Sequence, residues 1–150
     1  MPAFLKSWAP NVWAYRVKFL ASVEATAQMF LIAGAFTLLC GFFFGILLTV
    51  TRKGGIRPNA ALFRVVDTFI NIFRSIPFVI LLIFLIPFTR FLVGTAIGVT
   101  GAIVPLVFGT TPFFARQIEA SLWEVDPGLV EAAQAMGNSD FEIILHVYWR

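Results

Sequence analysis

Between Ala25 and Thr51 the sequence carries no charged residue. At about 1.5 Å per helical residue this run exceeds the roughly 30 Å of hydrocarbon in a bilayer, so it predicts a first transmembrane helix. With 59% of its 150 residues hydrophobic and 16% aromatic, the chain has far more apolar surface than one small soluble core could cover. The other reading of such a run near an N terminus is a cleaved signal peptide. This run is longer than an ordinary signal core, and no soluble domain follows it.

A second uncharged run, Ser75 to Thr89, is too short to cross alone. Its helix must begin within 59–73, which gives a span over about 60–89 with Arg74 inside it. The third run, Phe91 to Ala115, is long enough but contains Pro105 and Pro112, which should kink it and free backbone carbonyls. The expected architecture is an all-α integral membrane protein with three spans, at about 25–51, 60–89 and 91–115. Residues 1–24 then form a periplasmic or interfacial N-terminal segment, and 117–150 a cytoplasmic one.

The formal charge of +3 does not point to nucleic acid, because the Lys and Arg residues lie between the apolar runs rather than on one polar face. The densest basic segment, Arg52, Lys53, Arg57 and Arg64, joins the first two spans. The positive-inside rule puts it in the cytoplasm, which turns the N terminus outward and places everything after Arg116 inside. Lys6, Arg16 and Lys18 make the N-terminal segment basic as well. A single cysteine, Cys40, excludes a disulfide framework and a Cys-ligated metal site.

Gly41 and Gly45 form a Gly-x-x-x-Gly pair in the first span, with Gly34 a heptad earlier, and Gly94 and Gly98 repeat the pattern in the third. Close helix approach is the expected use. Arg64, Asp67, Asn71 and Arg74 recur at three- and four-residue intervals and so share one helix face. Charged groups at that depth must pair, snorkel or face a wet cavity, so this stripe reads either as an interfacial helix start or as the lining of a gate or pathway.

The three uncharged runs hold no Asp, Glu or His relay of the kind that ion-coupled carriers use. Lys53-Gly54-Gly55 lacks the spacing of a phosphate-binding loop, and the single His146 has no metal-ligating partner at helical spacing. Catalysis, a bound cofactor and a metal are therefore not expected, and energy for any transport must come from another subunit.

After Trp123 the composition turns mixed. Asp126-Pro127 supplies an N-cap followed by proline at the first helical position, and Leu129, Val130, Ala133 and Met136 fall at helical spacing. Gly137 ends this helix after about ten residues, and Ser139-Asp140-Phe141-Glu142 reads as a capping box for a second. That second helix should carry Phe141, Ile144, Leu145 and Tyr148 on or near one face. Such a short helix between two sharp turns is shaped either to dock into a groove on another protein or to lie on lipid.

Glu131-Ala132-Ala133, with Gly137 at the matching distance, resembles the cytoplasmic signature of ABC importer permeases. Val147 takes the family's Ile position, while Trp149 and Arg150 stand where Leu and Pro are expected. Upstream, Asn71-Ile72-Phe73-Arg74-Ser75-Ile76-Pro77-Phe78, Ile86-Pro87-Phe88-Thr89-Arg90 and Val93-Gly94-Thr95 look like the D/L-methionine uptake permeases in particular. Ala102 to Leu106 and Pro112 to Arg116 extend the likeness, which runs from about Glu24 to Val147.

The resemblance implies a type I importer transmembrane domain in the bacterial inner membrane. Two permease copies would form the pathway, and a periplasmic or lipoprotein receptor would deliver D- or L-methionine. Two cytoplasmic ATPase subunits would bind the coupling helices, through Glu131, Ala132, Ala133, Met136 and Gly137. It also implies about five transmembrane helices in all, two of them beyond Arg150, so this chain alone is expected not to transport. The other readings are a membrane scaffold or regulatory subunit that keeps the docking helix but lacks a pathway, and a permease for another amino acid.

Overall fold

The computed structural model describes residues 14–148, and every element in that range is helical. They are α1 (Arg16–Thr51), α2 (Ala60–Ser75), α3 (Phe78–Val93), α4 (Gly98–Trp123), α5 (Pro127–Ala135) and α6 (Asp140–Ile143), the last widening into a π-type turn over Ile144–Tyr148. Lys6 and the other residues of 1–13, and the Trp149-Arg150 ending, lie outside the described residues.

By length and composition α1 and α4 can each cross a membrane. No break separates an N-terminal segment from the first span at residue 24, because α1 already begins at Arg16. Its polar residues there are satisfied within the helix: Ser22 Oγ donates to the Lys18 carbonyl at 2.9 Å and Thr26 Oγ1 to that of Ser22 at 2.8 Å.

The second span, expected as one helix over 60–89, is two helices, α2 and α3, set at 110° to each other. Pro77 has no N–H to continue α2, and its ring drives the preceding Ile76 into extended backbone (φ −83°, ψ 123°). Arg74 therefore sits in the last turn of α2, at the elbow, rather than midway along a straight span. The third span starts later than expected and runs on to Trp123, since residues 91–93 belong to α3. Pro105 and Pro112 both lie inside α4, buried, and the helix continues through them.

α1 and α4 form the most extensive interface. On α1 its buried face is Ala33, Thr37, Gly41, Gly45 and Leu48, a row of mostly small residues spaced about one turn apart. A Cβ on Gly45 would lie 2.6 Å from the Ile118 side chain and 2.9 Å from the Ala115 carbonyl oxygen, and one on Gly41 would strike the Phe114 ring. The backbones meet because these side chains are absent. Across the same seam the Thr37 and Thr110 hydroxyls are 2.7 Å apart, while Thr110 also donates to the Leu106 carbonyl at 2.7 Å.

Gly94 and Gly98 do something different from close packing. Neither would bring a Cβ within 4 Å of a neighbour, and both have left-handed backbone (φ +79° and +77°), which makes them the hinges of the α3–α4 turn. Gly34 likewise has nothing within 4 Å of its Cβ position.

Two apolar clusters hold the rest. Leu48, Val66, Ile70 and Ala115 join α1, α2 and α4, flanked by Phe44, Leu47 and Phe63. Ile56, Val130, Ala133 and Ile143 join the α1–α2 loop to α5 and α6, flanked by Val50, Val125, Ile144, Val147 and Tyr148.

Candidate functional site

The post-span unit forms by local rules. The Asp126 carboxylate accepts from the Gly128 N–H at 2.8 Å and so caps α5, with Pro127 at its first position. Gly137 follows α5 with φ +82°, a conformation that an L side chain adopts only with strain. Ser139 and Glu142 then close a capping box: the Ser139 N–H donates to Glu142 Oε2 at 2.7 Å, and the Glu142 N–H to Ser139 Oγ at 3.4 Å. Accepting from the Ser139 N–H, and then from its hydroxyl, holds the Glu142 carboxyl below the usual carboxylate range.

α5 has two faces with different occupants. Val130 and Ala133 are buried against Ile56 and Ile143, so Ala133, grouped above with the outward-facing coupling residues, is instead 3% exposed and part of this chain's own core. Residues three apart on a helix share a face, and Ala133 follows Val130 inward. Glu131, Ala132, Met136 and Gly137 remain outside, joined by exposed Leu129 and Phe141. The second helix also presents a different face from the expected one. Ile143, Ile144, Val147 and Tyr148 turn inward, as pairs four residues apart on one face, and Phe141 and Leu145, also four apart, stay exposed on the other. Burial pushes the Tyr148 phenol above its ordinary value. A cleft of about 200 Å³ opens beside α5, lined in part by Gly54, Trp123, Glu131, Gln134 and Tyr148.

The unit is fastened to the loop between α1 and α2. Arg57 pairs with Asp140 at 2.5 Å, and Ile56 enters the shared core. The loop itself is tight, with the Arg57 and Asn59 N–H groups donating to the Val50 and Thr51 carbonyls at 3.0 and 2.9 Å. Arg52, which opens the loop, lies over the Trp123 ring, 4.3 Å from its centroid.

The polar stripe of α2 is only partly one unit. Asp67 and Asn71 are joined at 3.1 Å, and Arg116 of α4 donates to both, at 3.1 Å to Asn71 Oδ1 and in a shorter ion pair to Asp67 Oδ1. The other terminal nitrogen of Arg116, Nη1, pairs with Glu119 Oε2 at 2.5 Å, and Glu119 Oε1 takes Arg52 at 3.3 Å. Two arginines thus balance two carboxylates, and Glu119, 3% exposed, sits at the centre. Arg64 is exposed and forms no ion pair among the described residues, while Arg74 stacks on Phe113 at 5.3 Å instead of joining the network. A cavity of about 250 Å³ adjoins Arg74 at the α2–α3 elbow, walled by Phe73, Pro77, Phe78 and Phe113.

Glu119 and the Arg52 contact escaped the sequence reading. The available signal was the i, i+3 spacing of Arg116 and Glu119 on one helix. No pattern in the chain shows that Asp67, 49 positions earlier, closes on the same arginine.

Among known proteins, the family described as binding-protein-dependent transport system inner membrane component matches residues 41–150. The chain is 46% identical over 138 residues to the D-methionine transport system permease protein MetI of Escherichia coli (strain K12), covering 92% of this chain and 62% of that protein. It is 50% identical over 101 residues to the methionine import system permease protein MetP of Bacillus subtilis (strain 168), covering 67% of this chain and 46% of that one. A solved structure, an inward-facing conformation of the MetNI methionine ABC transporter in its CY5 native crystal form, superposes with a TM-score of 0.79 at 50% identity. That match covers 83% of this chain and 57% of the solved one. The chain therefore spans less than two thirds of the length of the proteins it matches.

Proposed function

We propose, from the premise that this chain belongs to the family of binding-protein-dependent transport system inner membrane components, that it is permease sequence of an ABC importer for D- and L-methionine. The observation that carries the reading is the outward face of α5. Glu131, Ala132 and Met136 stand exposed between the Asp126 cap and the left-handed Gly137, on a helix whose opposite face is fixed to the chain's own loop. A rigidly mounted short helix of that kind is a docking element for a cytoplasmic ATPase, and its small Ala132 lets the partner approach closely. The chain holds no ion relay in its apolar runs, so ATP-driven motion entering at α5 is the energy source, and the spans shift between two states in response.

The remaining parts of the reading follow from this. The protein lies in the bacterial inner membrane with the α1–α2 loop and α5 in the cytoplasm and the N terminus outside. The helices from Arg16 to Trp123 form part of the transmembrane domain, and the chain from Asp126 onward is the coupling segment. A second permease copy faces the first across the pathway, and a periplasmic or lipoprotein methionine-binding protein supplies the substrate. Arg64 and Arg74, exposed on the α2 stripe, line the gate or pathway, with Pro77 setting the elbow between α2 and α3.

The test uses Gly137→Val, which forces a β-branched side chain into left-handed backbone at a cost of about 1–2 kcal/mol or more. Co-purification with the partner ATPase should fall strongly, while Gly34→Val, at an open position on α1, leaves it unchanged. Equal recovery of the ATPase with both variants would remove the docking role from this turn.

A further inference from the structure

Two sets of polar contacts, joined through the backbone of the tight α1–α2 loop, connect the docking module to the α2 stripe. Asp140 of the module holds Arg57 at 2.5 Å, and Ile56 beside it is buried between α5 and α6. Four residues before Ile56, on the same tight loop, Arg52 reaches Glu119 at 3.3 Å. Glu119 passes the contact to Arg116 at 2.5 Å, and Arg116 holds Asp67 and Asn71.

Glu119 is the member that ties α4 to the loop: its Oε1 takes Arg52, and its Oε2 takes Arg116 of its own helix, the arginine that grips Asp67 and Asn71 of α2. It is also nearly inaccessible, at 3% exposure, so neither arginine can be replaced by water without opening the packing around it. The apolar cluster of Leu48, Val66, Ile70 and Ala115 also joins α2 to its neighbours, but such contacts have little directional preference and let helices slide. Charge-assisted hydrogen bonds fix direction and register.

We infer that Glu119 is the positioning residue that hands displacement of the docking module, through Arg52 on one side and Arg116 on the other, to the polar face of α2. The inference rests on the docking role proposed above. A contiguous network is the physical carrier that such coupling needs, and the claim is made only by showing that the far element responds.

The experiment places an environment-sensitive fluorophore on one introduced cysteine at a time, in a Cys40→Ser background, with the permease and its ATPase in lipid nanodiscs. Leu145→Cys reports on the module and Thr68→Cys on α2; both positions are exposed. In the parent, addition of ATP and vanadate should change both signals. In Glu119→Gln, which keeps the shape and removes the charge, the Leu145 signal should still change and the Thr68 signal should not. Asp67→Asn, at the far end of the chain of contacts, should give the same split.

A Thr68 response in both variants equal to the parent's would overturn the inference, as would a parent in which only Leu145 responds. Loss of both signals together in both variants would reduce Glu119 and Asp67 to general supports of the fold. A silent Leu145 label in the parent would instead remove the docking role, and this inference with it.

Discussion

Replacing Gly45 by alanine isolates the energy of the α1–α4 approach when it is compared with the same change at Gly34. Both glycines lie inside α1, so each alanine brings a similar gain in helix propensity, about 1 kcal/mol. They differ in what the new methyl meets. At Gly34 it meets nothing within 4 Å, whereas at Gly45 it lies 2.6 Å from Ile118 and 2.9 Å from the Ala115 carbonyl oxygen, part of a helix backbone that cannot rotate away. Overpacking of this kind costs about 1–3 kcal/mol, and the propensity gain cancels in the comparison. At roughly 2–4 °C per kcal/mol for a chain of this size, Gly45→Ala should melt about 2–12 °C below Gly34→Ala. Cys40 provides the assay, being the sole cysteine and half-buried on α1, so a thiol-reactive dye in detergent reports the opening of the helices. Equal midpoints, or a higher one for Gly45→Ala, would mean that the glycine row is not where α1 and α4 are held.

The threonine pair offers a second probe of the same seam. Thr37→Val should lower the Cys40-detected midpoint by the worth of one interhelical hydrogen bond, about 0.6–1.7 kcal/mol, and adding Thr110→Val should cost little more than either change alone if the two hydroxyls act on each other. The capping box gives a pH dependence. Glu142 has its folded value depressed, so its contribution to the module is complete above the ordinary glutamate value of about 4.3 and is lost as pH falls through the lower folded value. Hydrogen exchange at the Ser139 amide should therefore quicken in acid in the parent, beyond the intrinsic trend, and Glu142→Gln should show no such step.

The elements whose causes are local were legible in the sequence. Asp126-Pro127, Gly137 and the Ser139–Glu142 box each act over three or four residues, and each stands where its chemistry puts it. The apolar runs gave α1 and α4, each long enough to cross, for the same reason, since hydrocarbon thickness is a length and a run of residues measures it; the run from Ser75 to Thr89 did not give a straight span. What was hidden depended on partners far apart in the chain. Gly94 and Gly98 share the spacing of Gly41 and Gly45, yet only the second pair meets a neighbouring helix, and spacing alone cannot say which. Pro77 was visible, but the size of the bend it makes depends on how α3 packs against α4, where Phe78 lies against Gly109. Glu119 carries no mark in the sequence of its place between Arg52 and Arg116, because Arg52 is 67 positions away and only the fold brings it to the carboxylate.

The division of α5 into two faces separates two kinds of constraint on its sequence. Val130 and Ala133 answer to Ile56 and Ile143 of this chain, so a change at either must be matched within the same gene. Glu131, Ala132 and Met136 are exposed and lie outside that core, so under the proposed docking role their sequence answers to the ATPase rather than to this chain. One turn of helix thus lets the outer face of α5 change without renegotiating the chain's own fold.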